Sequence, residues 1–201
     1  PADGPSGAVT EATGISGGAG NDRIENSGAL LVTATSGMIQ SSSSFSFGGT
    51  GASGSTLAAT TLATGISGGE GADAILNRGS ITLQAASTLA TDSNFSAAFG
   101  TSSGSVTSGG VSQAIGIDGG AGDDRIWNAA ALVAGSSSAL NLKASGFTFG
   151  GSSGANEALT ANSRSVGLSG GAGANGIHNE GALMVTASSS LTAKADVDAA
   201  F

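Results

Sequence analysis

The chain has 201 residues, 36 of them glycine, with 10% charged and 4% aromatic residues and a formal net charge of −8. Six scattered Lys and Arg residues cannot neutralise a run of phosphates, which excludes nucleic acid as a partner. No run of about 18 apolar residues exists, so no membrane insertion is expected.

Cysteine is absent, and an acidic, cysteine-free chain rich in Gly and Asp fits a bacterial protein that is secreted, extracellular or held at the cell surface. Pro1 is not an initiator methionine and no basic-then-apolar leader precedes it, so a processed or excerpted chain is expected.

Such a composition would mean disorder if it were aperiodic. It is not. GISGGAGNDRIEN begins at Gly14, GISGGEGADAILN at Gly65, GIDGGAGDDRIWN at Gly116 and GLSGGAGANGIHN at Gly167, each start 51 residues after the last. A fixed period of this size marks a repeat architecture, here one array over residues 1–201.

After each glycine stretch comes an alternation of period two: Ile24, Asn26, Gly28, Leu30, Val32, Ala34 in the first repeat and Ile75, Asn77, Gly79, Ile81, Leu83, Ala85 in the second. The third and fourth repeats follow suit through Ile126, Asn128, Leu132 and Ile177, Asn179, Leu183. That pattern predicts half-buried strands. The interleaved Glu25, Leu76, Trp127 and His178 share no chemistry, as expected of an outward face. Trp127 is then a candidate contact residue, and His178, the single histidine, has no partner at catalytic spacing.

The second half of each repeat is less regular. Phe45 and Phe147, and likewise Phe99 and Phe201, lie 102 residues apart, a superperiod of two repeats. Phe45, Phe47, Phe147 and Phe149 are expected to plug the core. Only Leu57 to Leu62 and Glu157 to Ala161 could make a helical turn.

The fold class is therefore all-β, a β-solenoid of four 51-residue repeats. A contour of about 170 Å per repeat suits one flattened coil, two coils or three. Asn26, Asn77, Asn128 and Asn179 offer a test, because their amides can form a structural ladder only if they occupy layers about 4.8 Å apart.

Three of the glycine stretches, GGAGNDRIE at Gly17, GGEGADAIL at Gly68 and GGAGDDRIW at Gly119, match the pattern G-G-x-G-x-D-x-U-x. The fourth, GGAGANGIH at Gly170, has Asn175 in place of Asp. The chain thus resembles the RTX proteins, secreted bacterial proteins with calcium-binding nonapeptide repeats. The resemblance covers only about nine residues in each repeat.

It implies calcium held by Asp22, Asp73 and Asp124, with Asp123 adjacent, and by the carbonyls of the turn glycines Gly18, Gly20, Gly69, Gly71, Gly120 and Gly122. Calcium takes six to eight oxygens, so isolated loops could share an ion only by stacking. A purely structural turn is the competing reading. Nucleotide-binding glycine motifs do not fit, because each loop runs into a strand.

No pair or triad of residues stands at catalytic spacing, and Asp118, Asp123 and Asp124 are accounted for by the loop; the chain is read as non-enzymatic. The functional expectation is a structural subunit that partners itself end to end as a filament or sheath, with Phe201 as an assembly contact. The alternative is a stalk of repeats from a giant RTX-like adhesin or biofilm matrix protein. A calcium-dependent secreted enzyme fragment is the third class.

Overall fold

A computed structural model of the chain describes residues 6–200. Each repeat contributes one long strand, one short strand and a second long strand. The first layer consists of β1 (Ser6–Ala19), β2 (Arg23–Asn26) and β3 (Leu30–Phe47), and the second of β4 (Thr50–Glu70), β5 (Ala74–Asn77) and β6 (Ile81–Ala98). The third consists of β7 (Thr101–Ala121), β8 (Arg125–Asn128) and β9 (Leu132–Phe149), and the fourth of β10 (Ser152–Ser169), β11 (Gly176–Asn179) and β12 (Leu183–Ala200).

Equivalent strands pair in parallel to give three four-stranded sheets, β1-β4-β7-β10, β2-β5-β8-β11 and β3-β6-β9-β12. Ser6 pairs with Leu57, Ile24 with Ile75 and Leu30 with Ile81, a shift of 51 residues in every sheet. One repeat is therefore one flattened coil. The two long sheets form its broad faces, and the short sheet closes one narrow edge.

Inward residues alternate with outward ones along both long strands. The larger apolar cluster, including Ile24, Ile66, Ile75, Ile81, Leu83, Ile117, Ile126 and Leu132, lies beside the short sheet. A second holds Leu57, Ala59, Leu89 and Leu140. Buried hydroxyls also meet across the interior, as Ser36 Oγ does with Thr61 Oγ1 at 2.6 Å and Ser112 Oγ with Ser87 Oγ at 2.9 Å. Such bonds satisfy part of an interior built of small residues, while the hydroxyls of Ser44, Ser53, Ser55 and Ser102 are buried without a partner.

Two expectations are corrected. Phe45 and Phe47 are 72% and 76% exposed, and Phe147 and Phe149 are exposed too, because they occupy outward positions of β3 and β9. The core plug is Phe95, 1% exposed, whose inward position falls where the neighbouring layers have Ser44 and Gly146. The stretches Leu57 to Leu62 and Glu157 to Ala161 are not helical turns but parts of β4 and β10. Pairing with a neighbouring strand satisfies their backbone and overrides local propensity.

Candidate functional site

At the start of the corner, Gly14, Gly65, Gly116 and Gly167 drop out of the parallel pairing while the 51-residue offset holds on either side, and the inward face passes from Ala63 to Ile66 across them. A Cβ on Gly14 would stand 2.7 Å from the Gly65 carbonyl oxygen and 2.8 Å from Leu30. Only glycine lets the chain bulge here while keeping the apolar face inward.

The turn itself is made by Gly18 and Gly20 in the first layer, Gly69 and Gly71 in the second, Gly120 and Gly122 in the third, and Gly171 and Gly173 in the last, all with positive φ. In every layer after the first, a Cβ at either position would overlap a backbone atom of the layer before. The motif thus combines a left-handed turn with backbone-to-backbone stacking.

Asp22, Asp73 and Asp124 form one column, as the calcium reading requires of stacked loops. Asp73 Oδ1 accepts the Asp22 backbone N–H at 2.7 Å, Asp124 Oδ1 accepts that of Asp73 at 2.8 Å, and Asn175 Oδ1 accepts that of Asp124 at 2.8 Å. One oxygen of each side chain in layers two to four therefore belongs to a structural ladder. Asp123 lies outside this column, and its Oδ1 accepts the Ala174 N–H at 2.8 Å.

The second oxygen differs. Oδ2 of Asp22, Asp73 and Asp124 is buried without a hydrogen-bond partner. It sits against the first glycine of its loop, 2.8 Å from where a Gly17 Cβ would be; in the last layer Asn175 Nδ2 holds the same place, 3.0 Å from a Gly170 Cβ. That nitrogen donates to the Gly171 and Gly173 carbonyls, each at 3.3 Å. The fourth repeat thus supplies a donor where the other three have a buried oxygen without a partner.

The asparagine ladder forms as its spacing allows. Asn26 Nδ2 donates to Asn77 Oδ1, Asn77 Nδ2 to Asn128 Oδ1 and Asn128 Nδ2 to Asn179 Oδ1, each at 2.7 Å. Asn128 Nδ2 also donates to the Ala130 carbonyl and Asn179 Nδ2 to that of Gly181, which fixes which way these two amides face. Asn77 and Asn128 are fully buried.

Glu25, Trp127 and His178 face outward, with Leu76 partly covered among them. Glu25 pairs with Arg78, and the Trp127 and His178 rings meet edge to face at 5.4 Å. Asp118 lies partly buried in β7. Among the described residues, no three His, Asp or Glu side chains gather as a metal cluster, so any ion at the corner would depend on backbone carbonyls. No helix among them is long and apolar enough to cross a membrane.

Sequence reasoning named the ends of the array as assembly surfaces but, apart from Phe201, none of their residues. Leu183 is 43% exposed, whereas Leu132, its equivalent one layer earlier, is 0% exposed. Ile177, Val185, Leu191 and Val197 share that exposure, and at the other end Ile15, Leu30 and Met38 are only partly covered. Their signal lay in the repeat itself, because a layer pointing its side chains inward still needs a layer above and below. Phe201, the expected assembly contact, lies outside the described residues. Comparison with protein-family models, curated proteins and solved structures finds no match for this chain.

Proposed function

We propose that this is a non-enzymatic, extracellular structural protein that joins copies of itself end to end into a filament or sheath. The observation that carries the reading is the register of the columns, in which Ile177, Leu183, Val185, Leu191 and Val197 of the last layer stand over Ile24, Leu30, Val32, Met38 and Ser44 of the first, so that a further copy can be laid on as more layers. Laying one end on the other continues each column and buries apolar surface. A heterologous contact along the solenoid axis does not close and so propagates.

The acidic, cysteine-free composition supports a secreted bacterial setting. The same faces would equally continue into further repeats of one long chain, the adhesin-stalk reading. Intact mass of the natural product separates the two.

Electron microscopy of the purified chain tests the proposal. Filaments with an axial repeat of about 19 Å, four layers of about 4.8 Å, are expected. Monodisperse short particles at high concentration would refute self-assembly.

Calcium is the proposal's second part. The unpartnered Oδ2 atoms of Asp22, Asp73 and Asp124, placed where Asn175 contacts two glycine carbonyls, fit a partial set of hard oxygen ligands. With the carbonyls of Gly18, Gly20, Gly69, Gly71, Gly120 and Gly122, they would hold the ion. Bound there, it would offset the mutual repulsion of buried oxygens and stiffen the corner.

A further inference from the structure

We infer that the copies join in one direction only, the Asn175 and Asn179 end of one chain seating on the Asp22 and Asn26 end of the next. This rests on the self-assembly proposed above and assigns the groups that enforce its head-to-tail sense. Apolar burial alone does not choose between head-to-tail and head-to-head contacts. Nor do the backbone edges, since each strand edge offers both N–H and C=O groups.

The side-chain ladders do choose. In the aspartate column each backbone N–H donates forward, to the side-chain oxygen of the next layer. In the asparagine column each Nδ2 likewise donates forward. The first sense is set by backbone atoms and the second by the bonds of Asn128 and Asn179 to the Ala130 and Gly181 carbonyls, so the two are independent.

The consequence appears at the ends. Among the described residues nothing donates to Asp22 Oδ1 or Asn26 Oδ1, so the first layer presents two acceptors. The last layer presents two donors, the Asn175 N–H and the second N–H of Asn179 Nδ2. Head-to-tail seating makes both bonds; head-to-head sets acceptors against acceptors, and tail-to-tail sets donors against donors. Buried polar groups left unmatched disfavour a joint.

The corner glycines agree. A Cβ at Gly18 meets nothing within 4 Å, whereas its equivalents in later layers abut the preceding backbone. The first layer thus keeps a glycine-lined seat at the place where Gly171 of a preceding copy would lie.

Single-cysteine variants test the direction, since the chain has no cysteine of its own. Thr35 and Ser188, both exposed, are the first and last members of one outward column. In a head-to-tail joint they become neighbours about 4.8 Å apart. Thr35→Cys and Ser188→Cys chains, mixed under assembling conditions and treated with a short bismaleimide, should give a cross-linked dimer about tenfold or more above either variant alone.

Sedimentation of the same samples reports assembly separately. Pelleting without the mixed link, or with equal links from one variant alone, overturns the direction while leaving self-assembly standing. No pelleting and no link at monomer concentrations far above those of the assay would remove both.

Discussion

The two narrow edges of the coil solve the same turning problem differently. At the glycine corner the four layers are nearly identical, Gly14 to Asn26 recurring with few changes. At the opposite edge the turn reads Phe47-Gly48-Gly49, then Ala98-Phe99-Gly100, then Phe149-Gly150-Gly151, so that the phenyl group shifts by one position in alternate layers. Gly48, Phe99 and Gly150 all have positive φ, and the rings stack edge to face outside the coil, Phe47 to Phe99 at 6.3 Å and Phe99 to Phe149 at 5.2 Å. The identity of a residue is demanded in every layer only where backbone meets backbone or a side chain must bond its own copy. Where side chains face solvent, two alternating solutions serve, and the superperiod follows.

The sharpest way to break the corner is to add one methyl group in two equivalent places. Gly69→Ala combines a positive φ with overlap of the Gly18 backbone. Strain and overpacking together should cost about 4 kcal/mol or more, visible as loss of the cooperative denaturant transition. Gly18→Ala has the same sign of φ but open space, so it should cost only about 1 to 3 kcal/mol. It should nevertheless abolish filament growth, because the missing neighbour is the preceding copy. Equal destabilisation by the two variants would show that stacking is not what demands glycine.

The opposite edge yields a second contrast. Phe95 is buried beside Gly104 and Gly146, neither of which has room for a Cβ beneath the ring. Phe95→Ala should cost about 3 to 5 kcal/mol, since rigid sheet backbone cannot collapse into the void. Phe147→Ala, on the outward face one residue along the neighbouring strand from Gly146, should cost below about 1 kcal/mol. Urea midpoints measured for both decide it, and comparable losses would contradict the placement of the core.

How much of this was legible follows from the same contrast. The strand from Ile24 onward was readable because its inward residues are large and apolar. Counting by twos from Leu30 puts Phe45 and Phe47 outside, and counting from Ile81 puts Phe95 inside, so parity held the answer that residue type concealed. The bulge at Gly14, which changes the parity of the first long strand, leaves no trace in composition. The strands of that sheet, built from Gly, Ser, Thr and Ala, carry little local signal and take their form from neighbours one repeat away. One coil per repeat depended on the asparagine spacing, a distance that one-dimensional order does not contain. The aspartate column was expected only if the loops stack, and its ladder, bonding side chain to backbone between layers, follows from the fold and not from the order of residues.

The smallest effect bears on the metal, by making an aspartate layer resemble the asparagine layer. Asp124→Asn keeps the Oδ1 that accepts the Asp73 N–H and puts a donor where Oδ2 is buried and unmet, as Asn175 does one layer on. In chelator the variant should therefore gain about 1 kcal/mol, the worth of satisfying one buried polar group. If calcium occupies the corner, the wild-type chain should gain stability as the ion is added, and the variant should gain less, so that their order reverses. Calorimetry of the two proteins with calcium and with chelator reads both signs. A gain in chelator with no calcium response in either protein would make the motif a stacking turn whose aspartates serve the ladder alone. A loss in chelator would mean that the unpartnered oxygens do more for the corner than their bonding suggests.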